Sequence, residues 1–191
     1  MRVKAAGDNE SIKCHLSGII VRDLSISVSN YRATSSLDDY CKAQGVAGIA
    51  DVDTRRLTRI LRDSGCVNGV ISSDSAAADG ELVAMAREFD IVGRDLLSVV
   101  TRADTDSWEG RTEGEWEFNP KAGTGEPRFK VVAYDFGIKT NILRRLASLG
   151  CAVTVVPAQK PAADVLAMNP DGIFFSNGPV RILDGETAPP H

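Results

Sequence analysis

"FKVVAYDFGIKTNILRRLASLGCAVTVVP", residues 129–157, decides the architecture of the C-terminal half of this chain. Phe129–Asp135 is an almost unbroken apolar run of strand length. Ile138, Ile142, Leu143, Leu146 and Leu149 then recur at helical spacing up to Gly150, and residues 152–156 form a second apolar run. Apolar strands without polar alternation, separated by helices, are buried on both faces, which predicts a parallel, doubly wound sheet. Residues 162–168 continue the rhythm as a short helix and 172–175 as a third strand. Ligands of such sheets bind beyond the carboxyl ends of the strands, so the turns after Asp135 and after Phe175 are the places to look for a site.

Upstream, "NPKAGTGEPR" (119–128) concentrates Pro, Gly and Lys without apolar periodicity and reads as a linker. The boundary is placed there, with residues 1–118 as a first domain and 129–179 as the start of a second. In the first domain, 18–21 reads as a buried strand, and Leu24, Ile26 and Val28 alternate with polar residues as a half-exposed one. Ser35 or Ser36 can cap a short helix that Gly45 stops. A short buried segment, 46–52, follows, and then Asp53 or Thr54 can cap a helix that ends at Gly65. A further helix is expected over about 80–89, and Trp108 and Trp116 flank a Gly-rich stretch that could form a hairpin.

With 43% hydrophobic and 25% charged residues in 191, the chain has the balance of a globular protein able to bury a core. Its net charge of −4 gives no overall field for nucleic acid. No apolar stretch approaches the roughly 20 residues that span a bilayer, and the N-terminus lacks a signal-peptide apolar region, so a cytoplasmic protein without membrane contact is expected. Cys14, Cys41, Cys66 and Cys151 are scattered and include no C-x-x-C; with two histidines in the chain, neither a metal site nor a disulfide framework is supported.

Three stretches could carry chemistry. "YDFGIKTNI" (134–142) is a strand-to-helix turn that could hold an anion on free backbone N–H groups, or could be a structural turn; neither nucleotide-binding glycine fingerprint is present. "DTRRLTRILR" (53–62) puts four arginines on one short helix, suited to phosphates or an acidic partner, or else to water. "FSNGP" (175–179) could aim backbone N–H groups at a developing oxyanion. No nucleophile and base accompany it. There is no G-x-S-x-G or G-x-C-x-G elbow, Cys151 sits between Gly150 and an apolar strand, His15 lies in the other domain and His191 is the last residue.

Taken together, residues 18–41, 48–71 ("GIADVDTRRLTRILRDSGCVNGVI"), 131–146 and 168–179 ("MNPDGIFFSNGP") resemble the small, glutamine-hydrolysing subunit of carbamoyl phosphate synthetase. The resemblance implies an α/β chain: a family-specific N-terminal α/β domain, partial because its first strands are missing, then the first half of a class I glutamine amidotransferase doubly wound parallel sheet. It also implies glutamine hydrolysis, with ammonia passed to a large-subunit partner that binds ATP and Mg and makes carbamoyl phosphate for arginine and pyrimidine synthesis. No cofactor is expected on this chain.

Carried over by residue, Ser176, Asn177, Gly178 and Pro179 match the family's glutamine-binding turn, with Gly178 as the glutamine contact. Val180 and Arg181 depart from it, replacing a glycine and an aspartate. The family's Cys, His and Glu fall beyond residue 179, so the expectation is a truncated chain that is inactive alone, with 180–191 an unrelated tail and poor solubility in isolation. Arg55, Arg56 and Arg59 become candidates for the large-subunit interface. The competing expectation is a non-catalytic binding module that keeps that contact.

Overall fold

The computed structural model describes residues 3–4, 9–11, 13–91, 94–112 and 125–178. Two compact units result, Met1–Arg94 and Asp95–His191.

In the first unit, β1 (Val3–Lys4) pairs antiparallel with β3 (Ala33–Ser35), while β2 (Gly18–Ile20) runs parallel to β4 (Ala47–Ile49). Helix α1 (Leu37–Gln44) has the expected caps: the Ser36 hydroxyl accepts from the Asp39 N–H, and Gly45 closes the helix at φ 64°, a left-handed conformation that suits glycine. Leu37, Cys41 and Val46 form this unit's buried cluster, with Cys14, Ile19 and Val21 packed against it. Helix α2 (Thr54–Ser64) starts where Asp53 accepts from the Arg56 N–H, and α3 (Asp79–Glu88) covers the helix expected over 80–89.

One expectation fails here. Residues 24–28 are irregular, and Leu24, Ile26 and Val28 are all exposed. Alternation supplies a strand with a face but not with a ladder, and no described strand lies beside this one to accept its hydrogen bonds.

The second unit opens with α4 (Leu97–Val100) and β5 (Asp106–Trp108), then β6 (Phe129–Asp135), α5 (Thr140–Ser148), β7 (Cys151–Pro157), α6 (Ala162–Ala167) and β8 (Gly172–Phe175). The sheet order is β5-β7-β6-β8; β7, β6 and β8 are parallel, as expected, and β5 is antiparallel at the edge. The division between the two units, after Arg94, therefore falls well upstream of 119–128. Residues 106–108 belong to the second sheet through Asp106↔Val155 and Trp108↔Val153, although the sequence places them in a first domain of 1–118. Trp108 thus pairs with β7; Trp116, its proposed hairpin partner, and 119–124 of the linker lie outside the described residues.

Alternate residues of the strands face opposite layers. Ala133, Val153 and Val155 join Ile138 and Leu143 on the α5 side, with Trp108, Ile142 and Leu146 packed around them. Val132, Tyr134 and Val156 join Val165 on the α6 side. The chain passes from β6 out to β7 and returns across β6 to β8, so with right-handed crossovers the two helices cover opposite faces. Among the described residues, Leu143, Val155, Val156 and Val165 are the largest fully buried side chains, each contributing about 1.5–3 kcal/mol on burial.

Candidate functional site: the crevice between two strand ends

The strand order reverses at β6, so the crevice between the carboxyl ends of β6 and β8 is the position at which doubly wound sheets receive ligands. Its walls are the turn 135–139 and the turn 176–178. Asp135, the last residue of β6, is buried, and its carboxylate accepts four hydrogen bonds. One oxygen takes the backbone N–H groups of Gly137 and Ile138, both at 2.9 Å. The other takes the backbone N–H and the Nε–H of Arg102, both at 3.2 Å. Arg102 also donates to Asp106 at 3.3 Å, which ties β5 and its approach to the same network. Gly137 stands at φ 103°, a conformation closed to most side chains.

The second turn is stitched to the first. Ser176, buried at 7% exposure, donates its backbone N–H to the Tyr134 carbonyl, and its Oγ accepts the Phe136 N–H at 2.9 Å. Two residues on, Gly178 lies so close to Phe136 that a Cβ placed there would overlap the Phe136 carbonyl oxygen. Glycine is required at 178 by that approach. Tyr134, Phe136 and Phe175 stack in nearly parallel planes, with centroids 5.2–6.3 Å apart, and Phe175 is 64% exposed.

This geometry narrows the anion reading of 134–142. The N–H groups of Phe136, Gly137 and Ile138 are already bonded to Ser176 and Asp135, so they are not free for an anion. The backbone N–H groups of the exposed residues Asn177 and Gly178 have no hydrogen-bond partner among the described residues, nor do those of Lys139 and Thr140 at the start of α5, and these are the donors on offer. The sequence did not single out Asp135 or Arg102; an aspartate ending an apolar strand before Phe-Gly is a local sign of the turn, but the arginine 33 residues away has none. Ser176 was marked, though not its bond to Phe136.

Of the residues weighed for nucleophilic chemistry, Cys151 begins β7 opposite Phe129, at the amino end of the sheet. Seven residues of strand, about 20 Å, separate that end from the crevice. His15 is in the first unit, and His191, Pro179, Val180 and Arg181 lie outside the described residues. No group of three His, Cys, Asp or Glu that could hold a metal occurs among the described residues, and no described helix is long and apolar enough to cross a membrane.

The arginine helix is a separate feature. Arg55, Thr58, Arg59 and Arg62 line an open depression of about 530 Å³ on α2. Arg56, about 100° round the helix from Arg55, does not share it.

Known proteins decide which sheet of this kind it is. The model of the carbamoyl-phosphate synthase small chain, CPSase domain, matches residues 3–71, and that of class I glutamine amidotransferase matches 132–189. The carbamoyl phosphate synthase small chain of Syntrophotalea carbinolica is 53% identical over 175 residues, 90% of this chain and 46% of its own length. That of Vibrio cholerae is 48% identical over 177 residues, again 90% and 46%. The chloroplastic small chain of Arabidopsis thaliana is 51% identical over 172 residues, 90% and 40%.

The chain belongs to the carbamoyl phosphate synthase small-chain family. It spans less than half the length of these relatives. In family terms, the first unit carries the CPSase small-chain domain and the sheet of the second is the start of a glutamine amidotransferase domain. The amidotransferase match continues to residue 189, through most of the stretch read as an unrelated tail, 180–191. Both units are α/β, and the second is the doubly wound sheet that the family membership calls for.

Proposed function

We propose that this chain acts as the small subunit of glutamine-dependent carbamoyl phosphate synthase, and that the β6/β8 crevice forms part of the wall that binds glutamine. The observation that carries the reading is Gly178 pressed against the Phe136 carbonyl beside exposed N–H donors at a doubly wound switch point. The side-chain carbonyl or the α-carboxylate of glutamine could accept from those donors, while the stacked aromatics give the crevice an apolar flank. Hydrolysis would release ammonia to the large subunit, the partner that would bind ATP and Mg and make carbamoyl phosphate for arginine and pyrimidine synthesis in the cytoplasm.

The 191 residues by themselves would not turn glutamine over. Cys151, the one cysteine of the second unit, sits at the wrong end of the sheet, and no histidine stands among that unit's described residues. Incubation with glutamine and assay of ammonia tests this. The expected result is glutamine binding, seen by calorimetry or by shifts of the Asn177 and Gly178 amides, without ammonia release. Turnover lost on Cys151→Ser would overturn the inactivity, and absence of binding would overturn the glutamine site.

A second reading, a non-catalytic module that docks on the large subunit, takes Arg55, Arg56 and Arg59 as its contact; the depression on α2 brings Arg55 and Arg59 together and leaves Arg56 outside. Co-purification of the chain with a large subunit, in the absence of glutamine binding, would decide for it.

A further inference from the structure

The Arg102–Asp135 pair lies deep in the second unit. Its side chains are 14% and 8% exposed, whereas Lys42–Asp38 and Arg62–Asp63 leave both partners more than half exposed. Taking two charges out of water offsets much of their attraction, so an intact buried pair adds little net stability; what it supplies is a fixed geometry.

That geometry reaches the crevice in steps. Arg102 arrives over the carboxyl end of β7: the Thr101 hydroxyl accepts the Ala158 N–H at 2.9 Å, one residue beyond Pro157, the ladder partner of Asp135. The backbone N–H and the Nε–H of Arg102 then converge on one oxygen of Asp135, and the other oxygen is left for the N–H groups of Gly137 and Ile138. The Phe136–Gly137 peptide is trans and planar, so its N–H and its C=O point in opposite directions. With the N–H held on Asp135, the C=O is the group on which Gly178 closes, leaving no room there for a Cβ.

We infer that Arg102 is a positioning residue for the glutamine turn, acting through Asp135 to set the Phe136–Gly137 peptide and with it the place of Gly178. The inference rests on the reading of the crevice as a glutamine wall. Among the described residues Arg102 bonds to Asp135 and Asp106 and to nothing in the turn 176–178, so its path to that turn runs by way of Asp135 and Phe136. Without the guanidinium, Asp135 is a buried carboxylate lacking its counter-charge. Swinging it toward water relieves the charge and releases the Gly137 N–H; the peptide is then free to turn, and the N–H donors of Asn177 and Gly178 lose their fixed place.

The test uses the full chain, with glutamine affinity from calorimetry and amide resonances from NMR. Arg102→Met is expected to weaken glutamine binding about tenfold, the worth of one well-aligned hydrogen bond to a charged group. The Gly137, Asn177 and Gly178 amides should shift, while those of Val131 and Val132, within the β6 ladder, stay in place. In an Asp135→Asn background the same change should cost less than about twofold more, because the path is already cut. Asp106→Ala, which frees Arg102 from its exposed partner but not from Asp135, should leave affinity within about twofold. Arg102→Lys restores a charge without the guanidinium fork and should reduce the loss to about threefold; it takes the place of the methionine variant if circular dichroism shows that one unfolded.

Glutamine bound by the Arg102→Met chain as tightly as by the parent overturns the inference and leaves the crevice reading standing. So does a loss undiminished in the Asp135→Asn background, or one matched by Asp106→Ala, since either means that Arg102 acts otherwise than through Asp135. A parent chain that binds no glutamine overturns the crevice reading, and the inference with it.

Discussion

The Oγ of Ser176 accepts the backbone N–H of Phe136 at 2.9 Å, so the turn that ends β8 holds the turn that ends β6. Replacing Ser176 with Ala leaves that half-buried N–H without a partner. The expected cost is about 1–3 kcal/mol of unfolding free energy in denaturant titration. Glutamine affinity should fall with it, because the crevice wall loosens.

Gly178→Ala tests the close approach directly. The methyl group must displace the Phe136 carbonyl, and the shift propagates to Ser176 and the aromatic stack. A lowered melting temperature together with lost glutamine binding is the expected outcome, since the atom that must give way is backbone. An alanine variant that binds as tightly as the parent would show that the contact does not shape the site.

Asp135→Asn should destabilise the second unit more than either change. It removes one charge from a set of four donors and strands Arg102, whose side chain is 14% exposed. Breaking one partner of a buried pair costs about 3–5 kcal/mol; Asp106 stays in reach of Arg102, so the lower end is expected. Arg102→Met together with Asp135→Asn should cost less than the two single losses added, measured as a double-mutant cycle.

Burial pushes the Cys41 thiol above its ordinary range, with Cys14 and Asp38 adding to the effect. A raised folded-state pKa means that the folded chain keeps the proton longer than the unfolded one. The stabilisation is present below the usual cysteine pKa of about 8.5 and is lost as pH rises from there through the folded value. Unfolding free energy of the first unit should therefore decline above about pH 8.5, and Cys41→Ala should remove that decline. Thiol labelling at pH 7.5 should reach exposed Cys66 first and Cys41 last.

On the α6 side, Ile173 and Phe175 are exposed on β8, at 39% and 64%, and no described strand pairs with the outer edge of β8. Such an edge invites pairing with another chain. Concentration-dependent association in sedimentation is expected, reduced by Phe175→Lys.

The sequence resolved those parts of the fold whose cause is local. Apolar runs and helical spacing place β6, α5, β7, α6 and β8, and Ser36, Gly45 and Asp53 cap α1 and α2 where short-range chemistry puts them. Strand β5 was not legible: "DSW" has no periodicity, and its strand character is conferred by β7. Residues 24–28 show the converse, a strand pattern with no neighbouring strand among the described residues to complete it. At the site, the Gly178 turn was marked by its neighbours, while Arg102 reaches Asp135 from a segment whose sequence carries no sign of it.

The antiparallel edge strand has a consequence for the order of assembly. β5 is made before β6 and β7, yet its ladder is with β7, so a chain emerging from the ribosome carries residues 106–108 unpaired until Val153, Thr154 and Val155 have been added. β6, α5 and β7 can condense as a local unit first, with β5 closing over a finished β7 at the end. Arg102 travels with that late strand, so the salt bridge that braces Asp135 forms only when the sheet's first-made strand finally docks.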